Sequence, residues 1–141
     1  MMKGLLPARS DGSPPERRDW IAIVDDDASI RRSLARLLRI EGFTVETFET
    51  PLEFFAALAG GAPSCLVLDV HLGSESGFDL QDRLTVTHPD VPVIFITGHD
   101  NISSAELTRR AGPDGFARKP FDGNVMIHLI RRRTELLGKT A

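Results

Sequence analysis

The sequence of 141 residues has very little of several features on which other classes of protein depend. It contains a single cysteine, Cys65, so no intramolecular disulfide can form, and a disulfide-stabilised secreted domain is excluded. No apolar run approaches the roughly 18 residues of a membrane span, and the first residues lack the continuous apolar stretch of a secretion signal. These absences predict a cytoplasmic protein built around a hydrophobic core.

An excess of positive charge is also missing. The chain is 41% apolar and 26% charged, with a formal net charge of -3, whereas nucleic-acid-binding domains are typically basic. The three consecutive arginines at 131–133 are therefore interpreted as a solvated or partner-binding helix face rather than a nucleic-acid contact.

Residues 1–19 hold three prolines and no hydrophobic periodicity, which predicts a flexible N-terminal tail. From Trp20 onward, short apolar runs alternate with segments of helical period. The predicted strands are residues 20–24, 44–48, 65–69, 91–97 and 115–118, each followed by a helix, the fourth over 100–111 and the last from Asp122 to Leu137. We therefore expect one domain over 20–137 and a short C-terminal tail over 138–141.

Five strands alternating with five helices are typical of the α/β class. Such connections are right-handed crossovers, so we expect a five-stranded parallel sheet with helices on both faces. In open sheets of this kind, ligands bind outside the carboxyl ends of the strands, where the strand order reverses.

Polar side chains gather at those carboxyl ends. Asp25 and Asp26 follow the first strand, Asp69 ends the third, Thr97 ends the fourth and Lys119 follows the fifth. Carboxylates sharing one pocket repel each other unless a positive charge joins them. Three carboxylates and one lysine leave a charge of -2, which one divalent cation neutralises, and Mg²⁺ prefers hard oxygen ligands. The next aspartate, Asp27, immediately precedes a helix and is interpreted as its N-cap.

These residues carry a resemblance to a known family. The acidic pair, Asp69, Gly77 eight residues later, Thr97 and the Lys119-Pro120 pair resemble the motifs of response-regulator receiver domains of two-component systems. "TGH" at 97–99 and "KPF" at 119–121 are similar to the FixJ-type branch. The resemblance covers residues 20–137 and implies the flavodoxin-like (βα)5 receiver fold.

The resemblance implies that Asp69 accepts a phosphoryl group from a histidine kinase or a phosphotransfer protein. Thr97 would hydrogen-bond one phosphoryl oxygen and Lys119 would pair with another. Phe116 corresponds to the family's switch aromatic, which moves inward when Thr97 turns toward the phosphoryl group; the alternative is a plain core phenylalanine. The family also uses a cis peptide bond before Pro120.

For the cofactor, the resemblance implies Mg²⁺ bound directly by Asp26 and Asp69, with Asp25 acting through water and the backbone carbonyl of His71 as a further ligand. One departure concerns positions 72–73, where the family commonly has Met-Pro and this chain has Leu-Gly. Glycine is expected to loosen this loop and so disturb the geometry of the His71 carbonyl.

The expected function is that of a stand-alone, phosphorylation-controlled switch rather than a metabolic enzyme, limited to its own phosphoryl transfer and slow autodephosphorylation. A rival is a haloacid-dehalogenase-like phosphatase, but that family needs a second aspartate where His71 stands. A third alternative is a degenerate receiver that only binds partners, against which the complete acidic pocket argues. His71 and His99 either overhang the site and tune dephosphorylation or face solvent.

The output is expected to be an interaction with another protein or a second copy through helix 4, strand 5 and helix 5, without DNA binding. Helix 4 has the weakest apolar pattern, which predicts that it is the most easily displaced element. Glu106, Arg109 and Arg110 are predicted to form a docking face with the arginines at 131–133.

Overall fold

The computed structural model describes residues 20–99 and 101–140, with side chains described up to Thr134 in the last helix. The predicted N-terminal tail, residues 1–19, lies outside the described residues, as does the side chain of Leu137. The strands are β1 (Trp20–Val24), β2 (Thr44–Phe48), β3 (Cys65–Asp69), β4 (Val93–Thr97) and β5 (Phe116–Arg118), and the helices are α1 (Ala28–Ile40), α2 (Pro51–Ala57), α3 (Gly77–Thr87), α4 (Ser104–Ala111) and α5 (Gly123–Thr140). None of the helices in these described ranges has the length and apolar character that crossing a membrane requires.

The five strands form one parallel sheet in the order β2-β1-β3-β4-β5. In its register, Ile21 lies opposite Val45 on one side and Cys65 on the other. The predicted α/β fold is therefore confirmed. The order reverses between β1 and β3, which places a ligand crevice where Asp25 and Asp69 end their strands.

The helix starts follow from capping side chains. Asp27 caps α1, because its carboxylate accepts a hydrogen bond from the Ser29 backbone at 2.8 Å. Thr50 caps α2 by accepting from the backbone of Glu53, and Glu53 in turn accepts from the backbone of Glu49. The interpretation of Asp27 as a cap rather than a ligand is confirmed.

Some element boundaries differ from the predicted ones. α4 begins at Ser104 rather than residue 100, because the Ser103 side chain caps the helix by accepting from the Glu106 backbone at 3.1 Å. β4 begins at Val93 rather than residue 91; Pro92 has no N–H to donate and contributes only its carbonyl to the ladder. α5 continues past Leu137, through the first three residues of the predicted C-terminal tail.

Alternating side chains of the sheet build two separate cores. Ile21 and Ile23 of β1 face α1 and α5, whereas Trp20, Ala22 and Val24 face α2, α3 and α4. Each face is buried by helices, as the near-continuous apolar strands predicted.

A two-stranded hairpin follows β3 and was not predicted. Residues His71–Leu72 pair antiparallel with Glu75–Ser76, and Gly73 in the turn has a φ of 64°. Only glycine adopts this backbone conformation without strain. The expectation that Gly73 loosens the loop is therefore wrong: Gly73 allows the turn that pairs His71 with the N-cap residue of α3.

α4 buries a single hydrophobic side chain, Leu107, so its weak apolar pattern is confirmed. Polar contacts fasten it to α3 instead. The guanidinium of Arg110 lies 4.3 Å from the centre of the Phe78 ring and donates to Gln81 and Asp82, each at 3.1 Å. The prediction that Arg110 belongs to an open docking face is wrong, because its guanidinium group is bound to α3 by these contacts and its side chain is only 20% exposed.

The three arginines of α5 are also bound within the fold. Arg131 pairs with Glu41 at 3.1 Å, Arg132 pairs with Asp114 at 3.2 Å, and Arg133 donates to the carbonyl of Ala111 at the end of α4. Arg133 joins α5 to α4, whereas the ion pairs of Arg131 and Arg132 lie at the surface, with side chains 49% and 55% exposed.

Candidate functional site

Three carboxylates meet at the carboxyl edge of the sheet. Asp25 is fully buried, Asp69 is 5% exposed and Asp26 is open to solvent. Each contributes one oxygen to a group whose members all lie within 4.8 Å of one another. The local backbone holds two of them in place, since Asp25 accepts from the Asp27 N–H at 2.9 Å and Asp69 accepts from the His71 N–H at 3.2 Å.

Lys119 joins this group from the end of β5. Its ammonium nitrogen lies 3.1 Å from Asp25 Oδ2 and 3.3 Å from Asp69 Oδ2. Burial disfavours the ammonium ion, but the charges of Asp69 and Asp25 outweigh burial and raise the pKa of Lys119. The lysine is therefore charged and shared between two carboxylates. The peptide bond that follows it, before Pro120, is cis as the family resemblance implied.

The ionised form of Asp25 is clearly disfavoured in the folded protein. Burial, aided by the negative charge of Asp69, raises the pKa of Asp25 to about 6, although the Asp27 backbone and Lys119 oppose this. The positive charge of Lys119 alone is therefore not enough to offset the burial and mutual repulsion of these carboxylates near neutral pH.

The residues present fit a divalent cation. Asp25 Oδ2 is buried and, apart from its ion pair with Lys119, accepts no hydrogen bond from any residue that the structure describes. A buried carboxylate oxygen without such a partner beside two further carboxylates is an arrangement that a hard cation satisfies. Asp25, Asp26 and Asp69 are thus a candidate metal site.

Thr97 ends β4 beside this pocket and is fully buried. Its hydroxyl oxygen accepts from the backbone N–H of His99 at 3.1 Å, and its carbonyl accepts from the N–H of Lys119 at 2.8 Å. The structure therefore brings Thr97 next to Lys119 and binds its hydroxyl to the loop between β4 and α4.

Phe116, the predicted switch aromatic, is half-buried and lies opposite Phe95 in the ladder. It packs against the core that faces α2, α3 and α4. Its partial exposure distinguishes it from the fully buried Phe95 beside it. Sequence analysis missed the arginine two positions later, Arg118, which holds the β4–α4 loop; its place on the same strand face as Phe116 was the available signal.

His71 and His99 approach each other over the ends of β3 and β4. Their ring centres are 3.7 Å apart with the planes tilted by 35°. Burial and the neighbouring His99 lower the pKa of His71, while the charge of Asp26 opposes them. His99 is exposed and His71 is half-buried, so the contact between the rings is compatible with both alternatives given by the sequence, rings that overhang the site and rings that face solvent.

Gly77 fixes the backbone behind the proposed acceptor. A Cβ atom there would lie 2.3 Å from the carbonyl oxygen of Asp69, far inside van der Waals contact. The N–H of Gly77 also donates to the carbonyl of Val70 at 2.7 Å. The absence of a side chain at this position lets α3 start directly against the end of β3.

A family model described as the response regulator receiver domain matches residues 21–131. Nodulation protein W of Bradyrhizobium diazoefficiens is 36% identical over 136 residues, which cover 95% of this chain and 60% of that protein. Response regulator protein TodT of Pseudomonas putida is 35% identical over 121 residues, covering 86% of this chain and 53% of that protein. The chain thus spans little more than half of each of these relatives.

Solved structures give the same result. The receiver domain of NtrX from Brucella abortus is 34% identical with a TM-score of 0.74, and the match covers 82% of this chain and 98% of that one. A CheY-like receiver domain protein from Methanospirillum hungatei is 25% identical with a TM-score of 0.78, covering 88% and 99%.

Proposed function

Because this chain belongs to the response regulator receiver domain family of two-component systems, we propose that Asp69 is its phosphoacceptor and that phosphorylation switches a protein-interaction surface. The single observation that carries this proposal is the setting of Asp69. Its carboxylate lies at the end of a buried strand, 3.3 Å from a charged lysine and within 4.8 Å of two further carboxylates.

This setting suits phosphoryl transfer from a phosphorylated histidine. An oxygen of Asp69 forms the new P–O bond while the P–N bond of the donor breaks and its electron pair leaves with the imidazole. Such transfers depend mainly on positioning and on neutralising the charge of the transferred group. Lys119 pairs with one phosphoryl oxygen, and Thr97 donates its hydroxyl to another after leaving the His99 backbone.

Mg²⁺ is the proposed metal, because it prefers oxygen ligands and is commonly shared between carboxylates and a phosphate. Asp25, Asp26 and Asp69 would hold it, with the carbonyl of His71 as a further ligand. When bound, it supplies the positive charge that the phosphoryl group needs. The chemistry of the chain is then limited to its own phosphorylation and slow hydrolysis, so that it acts as a switch and not as a metabolic enzyme.

The phosphodonor is proposed to be a histidine kinase or a phosphotransfer protein. Beside Lys119 lies a groove of about 550 Å³ between α1 and the segment that joins β5 to α5. It is lined by Ile30, Leu34 and Leu37 on one side and by Pro120 and Phe121 on the other. An apolar helix of the donor that rests there would bring its phosphohistidine to the same edge of the sheet as Asp69.

The output surface is proposed to be the face formed by α4, β5 and α5, read by another protein or a second copy. Since Arg110 and Arg133 are held by contacts within the fold, recognition would rest on the exposed side chains of this face, Arg131 and Arg132 among them. These include Ala105, Thr108 and Arg109 of α4 and Val125 and His128 of α5. Action as a stand-alone regulator in the cytoplasm, without DNA binding, and membership of the FixJ-type branch stay predictions.

Intact-mass analysis tests the acceptor. With Mg²⁺ and acetyl phosphate, the protein should gain one phosphoryl group that is lost in base, and Asp69→Asn should gain none. Asp90→Asn is the matched control, because Asp90 is an exposed aspartate outside the pocket. An unmodified wild type with active donor, or an Asp69→Asn variant that is still modified, contradicts the proposal.

A further inference from the structure

One side chain of β5 holds the loop between β4 and α4. Arg118 Nη2 donates to the carbonyl of Ile102 at 2.7 Å and to the hydroxyl of Ser104 at 3.1 Å, and Nη1 makes a longer contact of 3.4 Å with the carbonyl of His99. Two of these acceptors lie in the loop and the third is the first residue of α4. A planar guanidinium with several donors in a fixed geometry suits such a set of acceptors, whereas an ammonium does not.

The same loop holds Thr97 by its hydroxyl. The N–H of His99 donates to the Thr97 hydroxyl, and the carbonyl of His99 accepts from Arg118. The side chains of Thr97 and Arg118 therefore hold the two peptide groups that flank His99. The Thr97 hydroxyl cannot turn to a phosphoryl group on Asp69 without giving up the His99 N–H. Movement of the loop is therefore resisted by Arg118.

Arg118 also lies over the proposed switch aromatic. Residues two apart on a strand point to the same face, and the guanidinium carbon is 6.0 Å from the centre of the Phe116 ring. The next residue, Lys119, reaches the acidic pocket instead. Arg118 thus contacts the β4–α4 loop and the predicted switch aromatic, whereas Lys119 contacts the acidic pocket.

We propose that Arg118 is a positioning residue that latches the β4–α4 loop in the phosphoryl-free arrangement and so opposes the phosphorylated one. This inference rests on the proposed function of Asp69. A contact made in only one of two states shifts the equilibrium toward that state by its own free energy. Removal of the latch should therefore favour the state in which Thr97 binds the phosphoryl group.

The first test needs no phosphorylation. Amide hydrogen exchange is measured on the Mg²⁺-free protein for wild type, Arg118→Met and Arg118→Lys, with attention to the amides of His99 and Ile102, whose hydrogen bonds lie in the loop. Arg118→Met should raise their exchange rates at least tenfold, and Arg118→Lys should recover little of this. Arg36→Met is the matched control, because Arg36 is an exposed arginine of α1, which packs on the opposite face of the sheet from α4. Unchanged exchange in Arg118→Met overturns the latch.

The second test measures the affinity for beryllofluoride with saturating Mg²⁺, followed by fluorine NMR. Arg118→Met should bind it at least threefold more tightly than wild type, and Ser104→Ala, which removes one acceptor of the latch, should shift the affinity in the same direction by less. Faster loop exchange with unchanged or weaker beryllofluoride binding overturns the regulatory role. If circular dichroism shows that Arg118→Met is unfolded, Ser104→Ala takes its place in both tests, and unchanged exchange or unchanged beryllofluoride affinity in that variant overturns the proposal.

The two levels of inference fail differently. If wild type takes up neither beryllofluoride nor a phosphoryl group, the proposed function of Asp69 is wrong. The exchange rates of the His99 and Ile102 amides still test whether Arg118 holds the loop, because that measurement does not involve phosphorylation.

Discussion

Replacement of Asp25 by asparagine should stabilise the metal-free protein. The carboxyl of Asp25 has an ordinary pKa of 3.8, which burial first of all raises to about 6 in the fold. A difference of about 2 between these pKa values corresponds to roughly 3 kcal/mol of folding free energy. Asparagine keeps nearly the same shape, carries no charge and can still accept from the Asp27 backbone. The value of about 6 already includes the opposing effect of Lys119, and we expect a net gain of about 1 to 3 kcal/mol at pH 7.5.

The pH dependence of this gain follows from the direction of the pKa. Below about pH 4, Asp25 is protonated in both the folded and the unfolded chain, so its ionisation contributes nothing to stability. Between the two pKa values the unfolded chain releases its proton first, and stability is lost as the pH rises. The loss is complete about one pH unit above the folded pKa of about 6. The advantage of Asp25→Asn should therefore grow from pH 4 to pH 7.

Urea unfolding with EDTA, followed by circular dichroism at several pH values, measures this advantage. Asp26→Asn is the matched control, because its carboxylate is exposed, and we expect a smaller gain from it. Saturating Mg²⁺ should abolish the advantage by stabilising wild type more than the variant. An advantage that is absent at pH 7.5, or equally large at pH 4, refutes the reasoning that buried charge limits the stability of this pocket.

Three further predictions concern the surroundings of the site. Gly77→Ala should destabilise the fold by about 1 to 3 kcal/mol and weaken Mg²⁺ binding measured by calorimetry, because the added Cβ must displace the backbone at the end of β3. Gly98→Ala is the control, since its Cβ would have ordinary contacts of 3.7 Å. Equal effects of the two substitutions would contradict this reasoning. Joint replacement of His71 and His99 by alanine should shorten the lifetime of the phosphorylated protein in a mass-spectrometric time course, because the paired rings shield the bond from water; an unchanged lifetime would speak against shielding. The fluorescence of Trp20, which begins β1 roughly 16 Å from the pocket, should respond only weakly to Mg²⁺, and strong quenching would contradict this distance.

The sheet and the pocket were predictable because their signals are local. β1, β3 and β4 are short apolar runs with a polar residue at the end or directly after it, and parallel strands bring all such ends to one edge. Asp25, Asp69 and Lys119 could therefore be placed together without knowing any contact between them. Capping by Asp27 and Thr50 was predictable for the same reason, because the capping side chain and the backbone N–H that donates to it are only a few residues apart.

The hairpin and the arginine contacts could not be predicted, because they produce no periodic pattern in the sequence. The hairpin after β3 has two residues in each strand, too few for an alternating pattern, and Gly73 suggested looseness rather than a turn. Arg118 reaches acceptors 14 to 19 residues away, and a long side chain on a half-exposed strand has many possible partners. Arg110 shows the same difficulty, since its charge alone gave no reason to expect the face of Phe78 beneath it.

The way in which α4 is held determines how it can move. Apolar packing is non-directional, so a helix seated on many hydrophobic side chains can slide by small amounts with little loss of contact. Leu107 is the one hydrophobic side chain that α4 buries fully, and Arg110, Arg118 and Arg133 hold the helix through hydrogen bonds, which weaken steeply when their angles or distances change. A small displacement gains nothing until the bonds break and new ones form. The helix should therefore move between discrete positions rather than continuously, and each change of position would begin with the hydrogen bonds of these three guanidinium groups.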